Sequence, residues 1–180
     1  MKTNVQIYVI GDTHFYHDNI IQYCGRPFKD GREMNEKIIK RWNSTVKDTD
    51  VVIHCGDFAV YGASDRVAEL CSKLKGRKTL VRGNHDRKSI HWYLHNGFEF
   101  VCDNFAIGNI LFTHRPMNKT DLILSKYVFN IHGHLHEKDS YNTDLYENVS
   151  VEKTNYYPIK LDSILGKHGL QLKRQNKQGD

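Results

Sequence analysis

Five short polar clusters in the chain each follow an apolar run: Gly11-Asp12-Thr13-His14, Gly56-Asp57, Gly83-Asn84-His85-Asp86, Thr113-His114 and Gly133-His134-Leu135-His136. Their side chains are carboxylates, imidazoles and one amide, the donors that hard and borderline divalent cations prefer, and none needs a thiolate. Asp12, His14, Asp57, Asn84, His114, His134 and His136 make seven potential ligands. One ion takes about three or four protein ligands, so two ions are implied. Two cations about 3.5 to 4 Å apart can hold a bridging hydroxide as nucleophile and clamp the oxygens of a phosphoryl group through an in-line displacement. Asp57 is assigned the place between them, where its charge offsets their repulsion. His85 and Asp86 follow the ligand Asn84 directly. An imidazole there can protonate a leaving alkoxide, with Asp86 accepting from its other nitrogen.

Each cluster alone is a weak signal. A lone Asp-x-His or Gly-Asp serves more often as a turn or helix cap, and a single His on a strand is usually a hydrogen-bonded structural residue. Gly-His-x-His is stronger, because alternate residues of an extended segment project to the same side. Glycine before or within four of the five clusters lets the backbone turn sharply beside the ligand-bearing residue. All five together, in this order, argue for one binding rim, since strand ends and their following loops form the ligand-binding edge of an α/β sheet.

The elements that must position them follow from pattern. Runs at Val5 to Ile10, Val51 to His54 and Thr79 to Val81 alternate with helical stretches, which predicts strand, helix, strand units in a parallel or mixed sheet. Met34, Ile38, Ile39 and Trp42 recur at helical spacing and read as a core-facing stripe. Ser64 is a plausible N-cap for a helix carrying Val67, Ala68, Leu70, Cys71 and Leu74, with Gly76 placed to end it. The second half reads as mostly strands, at Phe98 to Cys102, Ile110 to Thr113, Tyr127 to Ile131 and Tyr146 to Val151. The two halves argue for two packed sheets or one bent sheet, with helices outside.

Length bounds the rest. A chain of 180 residues suits one domain with a sizeable core. With 39% hydrophobic and 26% charged residues it is a folding composition, not a disordered one. No apolar run approaches membrane length, and the first residues lack the pattern of a signal peptide, so a cytoplasmic protein is expected. Cys24, Cys55, Cys71 and Cys102 are scattered, with no C-x-x-C pair, as reduced interior cysteines would be. The net charge of +5 owes part of its excess to a basic tail from about residue 167, through Lys167, His168, Lys173, Arg174 and Lys177. Such a tail suits an anionic substrate without demanding nucleic acid.

The ordered motifs D-x-H, G-D, G-N-H-D, a lone H and G-H-x-H, spanning Asp12 to His136, closely resemble those of the calcineurin-like metallophosphoesterase superfamily. The resemblance implies an α/β fold, a four-layer α/β/β/α sandwich of two mixed sheets flanked by helices. It implies that Asp12, His14, Asp57 and His136 bind one metal and Asp57, Asn84, His114 and His134 the other, with His85 as the catalytic histidine and Asp86 as its partner. Manganese is the first choice of metal, with iron, zinc or nickel as alternatives. The stretch Asp12-Thr13-His14-Phe15-Tyr16-His17, with Asn19-Ile20-Ile21 and Arg26-Pro27-Phe28, is similar to a branch of small bacterial and phage phosphoesterases. Asn148 to Glu152 and Tyr157-Pro158 resemble the closing strand and carry no ligand.

The chain departs from the family in two places. Asp57 is followed by Phe58 and Ala59 in place of a second acidic or asparagine position, and no inserted cap covers the site. The expected substrate is therefore a nucleotide or small phosphodiester reaching an open site, with nuclease or nucleic-acid end-processing activity as the alternative. A non-catalytic scaffold should have lost the costly polar positions, which are all present. Tyr16, His17, Asn19, Arg26, Arg82 and Arg115 lie near the motifs, where an Arg can clamp a phosphate and a Tyr can stack on a base. The bland readings are a solvent-facing Arg82 at a strand end and a His17 that caps a helix near Asp18.

Overall fold

The computed structural model describes residues 5–139 and 144–172. Strands β1 (Ile7–Ile10), β2 (Val51–His54) and β3 (Arg77–Val81) run parallel, with helices between them, as the alternation predicts. β4 (Phe100–Cys102) continues parallel on β3, and β9 (Ile159–Lys160) closes the other edge antiparallel to β1, giving the order β4-β3-β2-β1-β9. The second sheet has the order β5-β6-β7-β8, from β5 (Asn104–Ile107), β6 (Ile110–Thr113), β7 (Phe129–His132) and β8 (Tyr146–Asn148). β5 and β6 are antiparallel; β6, β7 and β8 are parallel. Both sheets are mixed, and the fold is the expected α/β sandwich with flanking helices.

Strand register decides which side chain enters which core. Val9, Ile53, Cys55 and Val81 point between the sheets, against Ile110, Phe112, Phe129 and Ile131. Their alternate neighbours Tyr8, Ile10, Val52 and Leu80 face the helical layer. A strand buried on both faces reads as a continuous apolar run, which is why these strands were legible.

The helical layer is built from α2 (Gly31–Thr45), α3 (Val67–Lys73) and α4 (Ile90–His95), with the short α1 (Asn19–Tyr23) before them. Met34, Ile38 and Trp42 are fully buried, the stripe read from spacing, and Ile39 packs at its side. Asp30 caps α2 by accepting from the Glu33 amide at 2.8 Å, and the Glu33 side chain accepts in turn from the Lys29 amide at 2.9 Å. The second sheet's outer face is crossed by the segment that enters α5 (Lys119–Leu124). There the Met117 amide donates to Asn130 Oδ1 at 2.8 Å, and the Tyr146 hydroxyl donates to the Met117 carbonyl at 2.8 Å. α6 (Leu161–Lys167) sends Leu161, Ile164 and Leu165 into the core between the sheets.

Several expectations are corrected. Ser64 lies inside a 3-10 turn, Tyr61–Arg66, and it is its carbonyl, not its hydroxyl, that accepts from the first residue of α3. That helix ends at Lys73 with Leu74 extended, and Gly76 serves the following turn instead, at φ +83°. His17 does not cap α1; Asp18 is the cap residue, and its side chain accepts from the Gly31 amide at 2.9 Å instead of capping that helix. β4 belongs to the first sheet, not the second. Lys167 and His168 are no loose tail, because both bond to Glu147, at 2.9 and 2.8 Å. Lys173, Arg174 and Lys177 lie outside the described residues. No helix among the described residues is long and apolar enough to cross a membrane.

Trp42 is the largest fully buried side chain, and its indole donates to the Lys75 carbonyl at 2.9 Å. Trp42→Ala is expected to lower the unfolding free energy by about 3–5 kcal/mol, through the cavity and the orphaned carbonyl. Urea denaturation measures this, and a loss under about 1 kcal/mol would contradict the packing described.

Candidate metal centre

The parallel strands bring their C-terminal ends to one rim. β1 delivers Asp12 and His14, β2 Asp57, β3 Asn84 and His85, β6 His114, and β7 His134 and His136. Backbone bonds stitch the two sheets together there. The Gly11 amide donates to the Val149 carbonyl at 2.8 Å, and the Gly11 carbonyl accepts from Val151 at 3.1 Å. Within the second sheet, the Gly133 amide donates to the His114 carbonyl at 3.0 Å and ties the ends of β6 and β7. A side chain on Gly83 would run into the Asp57 carboxylate, and one on Gly133 into the Asp12 carboxylate, so these two glycines make room for the acids.

Two donor groups result. Ligand atoms of Asp12, His14 and His136 lie within 4.8 Å of one another, as do those of Asp57, His114 and His134. A third such group, His14, Asp57 and His85, joins them, sharing His14 with the first and Asp57 with the second. Asp57 Oδ1 accepts from the His85 amide at 2.8 Å, which leaves Oδ2 to face His14 Nε2 at 3.5 Å and His114 Nε2 at 3.4 Å. His114 Nδ1 lies 2.9 Å from the Cys55 carbonyl, an acceptor only, so this nitrogen carries the proton and Nε2 presents a bare lone pair. Asn84 Oδ1 sits 3.1 Å from that same Nε2. His14 Nε2 is buried without a hydrogen-bond partner. Lone pairs turned on one another, with a buried imidazole nitrogen left bare, fit a divalent cation and little else.

The backbone agrees. Asp12, His14, Asp57, His134 and His136 all have positive φ, between 49° and 68°. Each costs roughly 1–2 kcal/mol for a residue with a Cβ. Strain gathered on five of the seven candidate ligands marks the rim as a place where geometry serves something other than stability.

Burial sets the protonation states of the metal-free chain. It pushes the Asp12 carboxyl up to about 8, against the opposing pull of His136, the Ser150 hydroxyl at 2.8 Å and the His134 amide at 2.9 Å. It drives His14 well below the usual histidine range and lowers His114. It takes His134 down to about 4, helped by His114 and Arg115. His136 goes the other way. Burial opposes its charge, yet hydrogen bonds to Cys24 and Glu152 and the Asp12 charge hold it up at about 10.

The supporting residues were mostly assigned other work by sequence reasoning. Asp86 is not turned to the His85 ring: its carboxylate accepts from the amides of Asp57 at 2.7 Å, Phe58 at 3.1 Å and Gly83 at 2.8 Å. It is the missing support of Asp57, bracketing two rim loops, and burial lifts its carboxyl to about 7. Arg26 is only 4% exposed and spent on the carbonyls of Asp12 and Thr13, at 2.7 and 2.9 Å, and on Glu152 at 2.8 Å, so it has no donor left for substrate. Tyr16 turns to the helical layer, with Arg66 5.1 Å from its ring. Arg82 is held by Asp103 at 2.6 Å. His17 does reach the rim, its ring 5.4 Å from His14 and 5.9 Å from His85. Arg115 is exposed and 3.3 Å from Asn84, at a groove of about 330 Å³ shared with Arg82, Asp103 and His114.

Four supporting residues, Glu152, Ser150, Thr13 and His54, were assigned no role from the sequence. Glu152 accepts from His136 Nδ1 at 3.0 Å and Ser150 donates to Asp12, so the closing segment orients ligands although it contributes none. Thr13 donates to the Phe58 carbonyl at 2.8 Å and pairs with the buried His54 at 2.9 Å, fixing the first rim loop against the second.

Comparison with known proteins agrees with this geometry. The model of the calcineurin-like phosphoesterase family matches residues 5–176. An uncharacterized protein of Methanocaldococcus jannaschii is 36% identical over 167 residues, covering 89% of each chain. The crystal structure of a protein of unknown function from Aquifex aeolicus superposes with a TM-score of 0.71 at 28% identity, over 89% of this chain and 98% of that one. A nuclease of Pseudomonas putida shares the fold at TM-score 0.50 and 18% identity, over 72% of this chain and 61% of its own.

The protonation states predict how metal loads. At about pH 6, Asp12 and His136 each hold a proton that an entering cation must displace, whereas His134 is already bare and burial shifts His114 in the same direction. Affinity at the Asp12 group should therefore rise by up to about a hundredfold per pH unit to about 8, where both protons are displaced, and by about tenfold per unit from there to about 10, while the His114 group changes less. Calorimetric titration of chelator-stripped protein with Mn²⁺ measures this. Proton-free binding with equal affinity at about pH 6 and 8 would contradict it.

Proposed function

The chain belongs to the calcineurin-like phosphoesterase family, and from that premise we propose that it is a binuclear metal-dependent hydrolase of phosphate esters, acting on nucleotides or small phosphodiesters. The observation that carries the binuclear reading is the shared Asp57. One of its oxygens is fixed by the His85 amide, and the other stands about equally far from an imidazole of each donor group, at 3.5 and 3.4 Å.

In this reading Asp12, His14, Asp57 and His136 hold one ion and Asp57, Asn84, His114 and His134 the other. Manganese is proposed first, with iron, zinc and nickel as alternatives suited to the same oxygen and nitrogen donors. When bound, such a pair supplies Lewis acidity for a phosphoryl group and lowers the pKa of water. The chain's own residues do the rest. His85, placed at the rim by its amide bond to Asp57, gives a proton to the departing ester oxygen. Asp86 holds the loop that carries His85 and acts on it through the backbone. Glu152 holds His136 by Nδ1 so that its Nε2 turns inward, and Ser150 with the His134 amide keeps the Asp12 carboxylate in place. Arg115 and His17 are the proposed substrate contacts, one at each side of the rim.

Nuclease action is the second reading. It is favoured by the exposed Arg115 beside the groove and by the likeness in fold to a Pseudomonas putida nuclease. The proposed location is the cytoplasm, in keeping with four free thiols.

Mn²⁺-loaded protein should hydrolyse bis(p-nitrophenyl) phosphate. His85→Ala should keep its metal and lose about 10²–10⁴-fold in kcat with alkyl leaving groups, and far less with p-nitrophenolate, which leaves without a proton. Metal analysis alongside the kinetics separates the roles. Unchanged turnover of alkyl esters by the His85 variant would overturn the acid assignment.

A further inference from the structure

An exposed tyrosine next to an open phosphoesterase rim has a use that solvent exposure alone does not explain. Tyr23, the last residue of α1, is 71% exposed, and its ring meets the His17 ring edge-on at 6.3 Å and 81°. The His17 ring is in turn 5.9 Å from that of His85. His17 thus adjoins both the exposed Tyr23 and His85, a series of ring contacts that links an exposed residue to the rim. Away from those rings, Asn84 and Arg115 border the groove of about 330 Å³. An isolated exposed Tyr is ordinary. One that adjoins, through a second ring, the proposed proton donor of the site stands within reach of a leaving group.

We propose that Tyr23, backed by His17, is the platform on which the base of a departing nucleoside stacks, and that the substrate is a nucleotide diester whose retained half lies in the Arg115 groove. The proposal rests on the phosphoesterase reading and narrows its substrate. A diester phosphorus carries two substituents. With the departing oxygen at His85, the departing substituent extends toward His17 and Tyr23, and the retained one extends away from them, toward Arg115. A monoester would leave the groove unused. The chemistry suits each side: an aromatic face stacks on any base, and a guanidinium pairs with a phosphate or ribose oxygen. In the step itself the oxygen of water bonds to phosphorus and the bond from phosphorus to the departing nucleoside oxygen breaks. That oxygen takes the proton from His85, and the attacking water gives one proton to solvent. The products are a nucleotide monoester and a nucleoside or shortened strand.

The test uses full-length Mn²⁺-loaded protein and a dinucleotide carrying the fluorescent base 2-aminopurine on its leaving half. Binding should quench the fluorescence, and Tyr23→Ala should abolish the quench and raise KM about tenfold, while Tyr23→Phe retains both. Inhibition by inorganic phosphate, which reaches only the centre, should be the same in all three proteins. A ten-residue single strand run in parallel identifies the source of the base: a lower KM than the dinucleotide points to nucleic acid, an equal one to the small diester. Quench and KM unchanged in Tyr23→Ala would overturn the platform while leaving the phosphoesterase reading intact. Failure of the wild-type protein to hydrolyse the dinucleotide, with bis(p-nitrophenyl) phosphate still cleaved, would overturn the diester assignment. Failure with every ester despite bound metal would overturn the underlying reading as well.

Discussion

A carboxylate oxygen facing two imidazole nitrogens is the constraint around which the rest of this molecule is arranged. Asp57 Oδ2 lies 3.5 Å from His14 Nε2 and 3.4 Å from His114 Nε2, and the bond from His114 Nδ1 to the Cys55 carbonyl leaves the nearer nitrogen without a proton to offer. Asn84 Oδ1 crowds the same nitrogen. In a protein interior such groups repel unless something positive stands among them. Five left-handed residues and burial of Asp12 and Asp57 add to the cost. The family's dependence on metal gives that cost its reason.

The scaffold meets this cost by over-determining the loops. Asp86 takes three amides from two loops, and Arg26 clamps the first loop by two carbonyls while neutralising Glu152. Glu152 then orients His136, so one ion pair connects the entry of the chain to its closing segment and to a candidate ligand. The sandwich makes such links possible because strands of both sheets end at the same rim, joined through Gly11 and the segment after β8. Packing of the two cores therefore governs the spacing of the donors, and the open rim leaves the substrate to be selected by a few surface residues.

The donors were legible in the sequence because residue type and position coincide: Asp12, His14, Asp57, Asn84, His114, His134 and His136 all follow apolar strands, and glycines make room for two of the acids. The central strands were legible as continuous apolar runs, because both of their faces are buried, and the stripe of α2 by its helical spacing. Supporting residues were not. Arg26 lies 126 residues from Glu152, and Ser150 lies 138 from Asp12, so no spacing rule joins them. Asp86 was read as a partner of His85 because it is adjacent in sequence, whereas the turn sends its carboxylate back onto backbone amides. Tyr16 and Arg26 were read as substrate contacts from proximity to the motif, but one packs toward the helical layer and the other is buried. β9, α1 and α4 are too short for periodicity to declare them, and β5, as long as β1 and β2, has no fully buried residue to make an apolar run. Tyr23 carried no motif at all.

The central claim, that one carboxylate joins two cation sites, is tested most directly by anomalous diffraction from crystals soaked in Mn²⁺. Two peaks about 3.5 to 4 Å apart, one on each side of Asp57 Oδ2, are the expected result. A single peak, or two peaks of which only one contacts Asp57, would contradict it.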